Sequence, residues 1–155
     1  MLSRIFIQNF ALIDTLEIAM YKGLQVITGE TGAGKSIILG ALRLILGERA
    51  DAKSAANSEV KSIVEAEFGI QDHLKSFFEQ NDLDFEAQTV IRREILPNGK
   101  SRAFVNDVPV TLDVLKNLST KLIDIHSQFE TSNLFNEEYQ FKIIDGISGN
   151  SSLLA

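Results

Sequence analysis

The chain has 155 residues, of which 45% are hydrophobic, and this is enough for one domain with a substantial core. It contains no cysteine, which excludes disulfide bonds and thiolate metal sites. The net charge of −6 and a pI of about 4.9 exclude a protein that wraps nucleic acid with its whole surface, because such a protein would be basic. No run resembles a membrane span or a signal peptide, so we expect a cytoplasmic protein without a membrane partner.

The first part of the chain predicts two paired strands, a buried strand and a helix. Apolar residues alternate over Arg4–Gln8 and again over Thr15–Met20, which predicts an antiparallel β flap. Leu24–Thr28 is a short apolar run typical of a buried strand. Residues 35–46 are apolar almost all round, which indicates a helix buried between two layers. Glu48–Glu59 is polar and predicts a surface loop.

The second half of the chain alternates between strand and helix patterns. The clearest signal is a hairpin, in which Thr89–Ile95 and Ser101–Val105 flank a turn at Pro97-Asn98-Gly99. The other predicted elements are a strand over Val60–Phe68, a helix over Asp72–Gln80, a helix capped by Thr111, a strand over Lys121–Ile125 and a last helix capped by Asn136.

A phosphate-binding pattern, G-x-x-x-x-G-K-[ST], lies between the predicted buried strand and the apolar helix, and its residues are Gly29, Glu30, Thr31, Gly32, Ala33, Gly34, Lys35 and Ser36. Glycines let the backbone approach a ligand closely, so that successive N–H groups surround phosphate oxygens at the positive end of the helix dipole. In such a loop Lys35 reaches the β- and γ-phosphates, and Ser36 presents its hydroxyl to Mg²⁺. The pattern therefore predicts binding of ATP and Mg²⁺.

A second candidate is Gln128, which follows the predicted strand over Lys121–Ile125. A glutamine at a strand end near the γ-phosphate completes the Mg²⁺ shell and positions the attacking water, as the Q-loop of ABC-type ATPases does. Its position alone does not distinguish this role from that of an ordinary surface glutamine. We interpret the nearby His126 as structural.

Several segments of the sequence resemble the RecN family of bacterial DNA-repair proteins, which belongs to the SMC-like branch of ABC ATPases. They lie between about residues 5 and 128 and comprise Ile7–Asp14, Thr28–Ile37, Leu46–Asp51, Arg92–Ile95, Ser101–Asn106 and Ile123–Gln128. The resemblance is imperfect, because this family tends to have a histidine after the glutamine, where this chain has Phe129.

The resemblance implies an α/β fold of the P-loop NTPase class, an ABC/SMC-type head lobe with a mixed sheet and an antiparallel β flap. Residues 1–147 are then the N-terminal lobe of an ATPase head, and residues 148–155 are a tail leading toward an absent coiled coil. Lys35 and Gln128 take catalytic roles, with Ser36 and Gln128 on Mg²⁺. The implied partners are a C-terminal head lobe, a second head that joins on ATP binding, and DNA, on which the family acts in double-strand break repair.

The sequence contains no credible Walker B or signature motif, so we expect a piece of a longer protein that binds ATP weakly and hardly hydrolyses it alone. Two alternatives stay open: another ABC-type ATPase subunit, and a nucleotide-binding interaction module without turnover. Arg4 and Asn9 either approach the nucleotide or lie on a solvated strand edge. The most basic stretch either contacts DNA phosphates or is a solvated hairpin, and it contains Arg92, Arg93, Lys100 and Arg102.

Overall fold

The computed structural model describes residues 1–29, 34–50, 57–123, 125, 140, 141 and 144. The chain divides into two compact units, Met1–Ile123 and Asp124–Ala155. In the second unit Gln140, Phe141 and Ile144 are helical, in agreement with the helix that the sequence predicts after Asn136. The predicted tail over residues 148–155 lies outside the described residues.

The described part of the first unit contains six strands and three α-helices. The strands are β1 (Leu2–Phe10), β2 (Ile13–Ala19), β3 (Ser62–Gly69), β4 (Gln88–Ile95), β5 (Ser101–Val105) and β6 (Val108–Val110). The helices are α1 (Lys35–Ile45), α2 (Lys75–Gln80), which a 3-10 turn over Asp72–Leu74 precedes, and α3 (Leu112–Ser119). None of the helices in these ranges is long and apolar enough to cross a membrane.

The strands form one sheet in the order β2-β1-β3-β4-β5-β6, and every pairing among them is antiparallel. The predicted flap is confirmed as the β1–β2 pair, and the predicted hairpin as β4–β5. The parallel pairs of a mixed sheet are not found among the described strands. Short turns join β4 to β5 and β5 to β6, and such turns connect only antiparallel neighbours.

Two predicted strands are wrong. Leu24–Thr28 is not in a strand, and its side chains are exposed rather than buried. Lys121 and Leu122 form a turn, because their N–H groups donate to the carbonyls of Leu118 and Ser119 at the end of α3 and not to a neighbouring strand. In contrast, the predicted cap of α3 is confirmed, since the Thr111 hydroxyl accepts from the Val114 N–H at 3.3 Å.

The core lies on one face of the sheet, where α1 and α3 pack against the central strands. Strand side chains alternate between the two faces. The inward set on the central strands is buried and comprises Ile5, Ile7, Val64, Ala66, Phe68, Ile91, Arg93, Ile95, Ala103 and Val105. The outward set of side chains forms ion pairs, in which Arg4 lies within 3.5 Å of Glu17, Glu65 and Glu67.

Asn9 links the flap to the chain that returns from α1. Its amide nitrogen donates to the carbonyls of Asn57 at 2.9 Å and Val60 at 2.7 Å, and its amide oxygen accepts from the Asn57 N–H at 2.7 Å. The backbone of Asn9 is left-handed, with φ of 51°, a conformation that asparagine tolerates better than most residues. The side chain is only 8% exposed, so these bonds fix the turn of the flap to Asn57–Val60.

Replacement of Asn9 by alanine should lower the free energy of unfolding by about 2–4 kcal/mol, because it removes these hydrogen bonds and leaves a Cβ residue in a left-handed conformation. Asn9→Gly should lower the free energy of unfolding by about 1 kcal/mol less than Asn9→Ala does. Glycine also loses the hydrogen bonds, but it adopts the left-handed conformation without strain. Urea unfolding followed by circular dichroism measures both. Asn117→Ala, at an exposed position of α3, is the control and should change stability by about 0.5 kcal/mol or less. Equal stability of Asn9→Ala and this control would contradict the linking role.

Candidate functional site

Helix α1 begins at Lys35, directly after Gly34 of the phosphate-binding pattern. Gly34 precedes the helix in a left-handed conformation, with φ of 94°, and its carbonyl accepts from the N–H groups of Ile37 and Ile38 at 3.0 Å. Gly34 has no side chain that could cap the helix, and the first turn contains no acidic residue. Within the residues that the structure describes, no cap from Gly34 and no first-turn carboxylate opposes the positive dipole end of α1, which suits an anion.

Lys35 and Ser36 are exposed at this helix start. The ammonium group of Lys35 donates to the carbonyl of Gly29, so the two ends of the predicted phosphate loop lie close together. Glu30, Thr31, Gly32 and Ala33, between these ends, lie outside the described residues, and so does Gln128. Of the predicted site, the structure thus brings together Gly29 and Gly34–Ser36 and does not describe the rest.

An apolar surface borders the N-terminal end of α1. A shallow cleft of about 220 Å³ is lined by Ile27, Lys35, Ile38, Leu39 and Leu42. In the preceding segment, which the sequence predicts as a buried strand, Leu24 is 93% exposed and Val26 is 73% exposed.

The residues of α1 are buried to different degrees. Ala41, Leu44 and Ile45 are fully buried against the sheet, whereas Ile38 and Leu42, which pack against the same core, are half-buried. The prediction that α1 is buried between two layers is therefore met only in part by the residues that the structure describes.

Arg4 is engaged on the outer face of the sheet. Burial lowers the pKa of its guanidinium, but the hydrogen bonds with Glu67 and Glu17 and the charge of Glu65 together raise that pKa above its ordinary value. Arg4 does not lie on a solvated strand edge, because β1 is paired on both sides, and its guanidinium is occupied by three carboxylates. The side chain of Asn9 fits neither interpretation that the sequence leaves open, because it is hydrogen-bonded to the carbonyls of Asn57 and Val60.

The basic stretch of the β4–β5 hairpin is less available for contact with DNA phosphates than the sequence suggests. The Arg92 guanidinium contacts Asp107 at 2.7 Å and lies over the ring of Phe104, 4.6 Å from its centroid. Arg93 is 1% exposed and points into the core. Lys100 and Arg102 are exposed, so only this pair of the four cations presents an open charge.

Sequence reasoning missed the role of Arg93 because it treated the residue as part of a charged surface. Its guanidinium donates to the carbonyls of Leu44 at 2.9 Å and Glu48 at 3.1 Å, at the end of α1. The available signal was the alternation of β4, which places Arg93 on the same face as the apolar Ile91 and Ile95.

The described ranges contain no group of three or more histidine, aspartate or glutamate side chains that could hold a metal ion. A P-loop needs no such cluster of its own, because its Ser or Thr hydroxyl and the bound phosphate oxygens supply ligands to Mg²⁺, and further ligands come from other segments and water. The exposed Ser36 at the start of α1 fits that arrangement.

Comparison with known proteins gives relatives over nearly the whole chain. A family model described as AAA domain matches residues 4–152. The chain is 40% identical over 156 residues to the DNA repair protein RecN of Vibrio cholerae, covering 99% of this chain and 28% of that protein. It is 36% identical over 152 residues to the DNA repair protein RecN of Bacillus subtilis, covering 96% of this chain and 26% of that one. The chain thus spans little more than a quarter of these relatives.

Solved structures share the fold at low sequence identity. An SMC ATPase, from work on ATP-driven dimerization and DNA stimulated activation, has a TM-score of 0.65 and 20% identity and covers 94% of this chain and 98% of its own. The SMC head domain from Thermotoga maritima has a TM-score of 0.56 and 18% identity, covering 76% of this chain and 41% of its own. The recombination mediator RecF with ATP has a TM-score of 0.54 and 20% identity, covering 71% and 27%.

The likeness to SMC heads confirms the predicted ABC/SMC-type head-lobe fold. Because the AAA domain model spans nearly all of the sequence, the chain belongs to the AAA domain family, and within that family it fits the N-terminal head lobe of RecN proteins.

Proposed function

We propose that this chain is the ATP-binding N-terminal lobe of an SMC-like ATPase head that acts in DNA double-strand break repair and recombination. The observation that carries the proposal is the start of α1, where Lys35 and Ser36 are exposed directly after the left-handed Gly34 and the lysine contacts Gly29. The names of the RecN relatives support the repair role. A protein of that role works in the cytoplasm, in association with the nucleoid.

The loop from Gly29 to Ser36 holds the phosphates of ATP in this proposal. Lys35 leaves the Gly29 carbonyl for the β- and γ-phosphates, which attract its charge more strongly than a neutral oxygen does. Ser36 and Gln128 would hold Mg²⁺, which would neutralise charge on the phosphates. Gln128 also orients the attacking water, while Lys35 stabilises the charge that develops during phosphoryl transfer.

The apolar surface beside the site supports a second lobe as partner. Leu24, Val26 and Ile27 are exposed large hydrophobic residues in one short segment, and the cleft that Ile27 shares with α1 lies next to Lys35. Exposed apolar patches of this kind mark interaction sites. We assign this surface to the C-terminal lobe of the head, with a second head closing over the nucleotide. DNA is bound by the full-length protein.

Two alternatives are distinguished by turnover. Another ABC-type subunit would have signature and Walker B motifs directly downstream of this lobe, without a coiled coil. An interaction module would bind ATP but would show no turnover even with its partner lobe.

Substitution of Lys35 by methionine should weaken ATP binding by about 10- to 100-fold, because a hydrogen bond to a charged group contributes about 1.5–3 kcal/mol. Titration with a fluorescent ATP analogue measures the dissociation constant. Lys100→Met removes an exposed ammonium group from the β4–β5 turn and is the control, with unchanged affinity. Equal affinities of Lys35→Met and the unsubstituted chain would refute the phosphate site.

The purified chain should release phosphate from ATP no faster than the uncatalysed background, because the lobe that supplies the remaining catalytic groups is missing. Adding a polypeptide that carries the C-terminal lobe should produce Mg²⁺-dependent turnover, which a phosphate-release assay detects. Robust hydrolysis by the chain alone would overturn the two-lobe proposal, and binding without turnover in the reconstituted head would favour the interaction module.

Val26→Asp should prevent association with a C-terminal lobe, since it places a charge in the surface that the lobe covers. Pull-down of the two purified polypeptides measures the association. The matched control is Leu12→Asp, which alters another exposed apolar residue, 84% exposed at the turn of the flap. Both variants should keep the melting temperature of the chain. If both lost the partner equally, the assigned surface would be wrong.

A further inference from the structure

We propose that Arg93 is a positioning residue for phosphate binding: its buried guanidinium fixes the C-terminal end of α1 and thereby the position of Lys35 and Ser36 at the other end of the helix. This rests on the proposed nucleotide-binding function. Arg93 bonds to the far end of α1, so its action is exerted through the helix.

The end of α1 has a defined hydrogen-bond pattern. Gly47, with φ of 88°, donates to the Leu44 carbonyl at 3.1 Å, and the Glu48 N–H donates to the Arg43 carbonyl at 3.1 Å. This reciprocal pattern is a Schellman motif. Arg93 bonds to the same end, because one of its terminal nitrogens donates to the carbonyls of both Leu44 and Glu48, at 2.9 and 3.1 Å.

The positive charge of Arg93 is stabilised by the dipoles of carbonyl and hydroxyl groups rather than by a carboxylate. Among the described residues no carboxylate forms an ion pair with it, and its other terminal nitrogen donates to the Ser101 hydroxyl at 3.3 Å. Its Nε has no partner, and burial lowers the pKa of the guanidinium. The negative end of the α1 dipole is the group that compensates this desolvated cation. Because the buried guanidinium of Arg93 needs these carbonyls as partners, it also holds the C-terminal end of α1 in place.

Packing confirms that this end of α1 has little freedom. A Cβ added to Gly47 would lie 3.1 Å from the Cβ and 3.2 Å from the Cα of Lys116 in α3, so the two backbones are in close contact. Farther along the helix, Gly40 lies against the ring of Phe10. The helix end is thus confined between Arg93 on β4 and Lys116 on α3.

A rigid helix transmits a shift at one end to the other. Helix α1 has 11 residues, which corresponds to a length of about 16 Å. Binding sites require their groups to be placed within about 0.5 Å, and a misplacement of about 1 Å costs up to roughly 100-fold in a reacting site. Without Arg93 the charge that draws α1 toward β4 is lost, and the N–H groups at the helix start are no longer held in one place.

The test compares Arg93→Met and Arg93→Lys with Phe78→Leu in the 155-residue chain. Phe78 is buried in α2 and packs against Phe77 and Phe85, so this control lowers stability by a change made outside α1 and β4. The dissociation constants of ATP and AMP are measured well below every melting temperature, with folding checked by circular dichroism. If Arg93→Met does not fold, Arg93→Lys carries the test.

Arg93→Met should raise the dissociation constant of ATP by roughly tenfold or more, and that of AMP by less, because AMP lacks the phosphates that the loop holds. Arg93→Lys should recover part of the ATP affinity, since its ammonium reaches one carbonyl. Phe78→Leu should lower the melting temperature without changing either constant. Unchanged ATP affinity in both Arg93 variants would overturn the positioning role alone. No binding by the unsubstituted chain would overturn the proposed function together with it.

Discussion

The packing of α1 on one face of the sheet is the constraint on which the rest of the first unit depends. Ala41, Leu44 and Ile45 lie against the sheet, so the strands beneath must present apolar residues on that face. Side chains alternate along a strand, and the opposite face is therefore left for polar residues, which pair their charges there. The N-terminal end of the same helix carries the exposed Lys35 and Ser36, so packing and the proposed phosphate binding use opposite ends of one element.

Local patterns were sufficient for most of the fold. Alternation located the flap and the β4–β5 hairpin, and Thr111 was identified as a cap from its residue type. The strand β6 was missed because Asn106 and Asp107, both with positive φ, turn the chain within two residues and lead into a strand that contains Pro109. The apolar run Leu24–Thr28 was wrongly predicted to be a buried strand. The hydrophobicity of a segment predicts that it packs against a partner, but not whether that partner is present.

The residues of the candidate site could be predicted from the sequence, but the residue that we propose holds them in position could not. Gly34, Lys35 and Ser36 could be located because their chemistry follows from a short pattern with fixed spacing. Arg93 could not, because its partners are the carbonyls of Leu44 and Glu48, which are distant in sequence and carry no side-chain signal. A residue that acts on backbone groups becomes visible only when the fold brings those groups to it.

The exposed segment Leu24–Thr28 also bears on how such a lobe is made. N-terminal domains fold first during synthesis, while the ribosome adds about 5–20 residues per second. This chain covers 28% of the Vibrio cholerae relative. If the C-terminal lobe proposed above covers Leu24 and Val26, a polypeptide of that length leaves them exposed for a time on the order of tens of seconds before that lobe is synthesised. During that interval their apolar surface would be open to other chains, so the order of synthesis would bear on how such a head assembles.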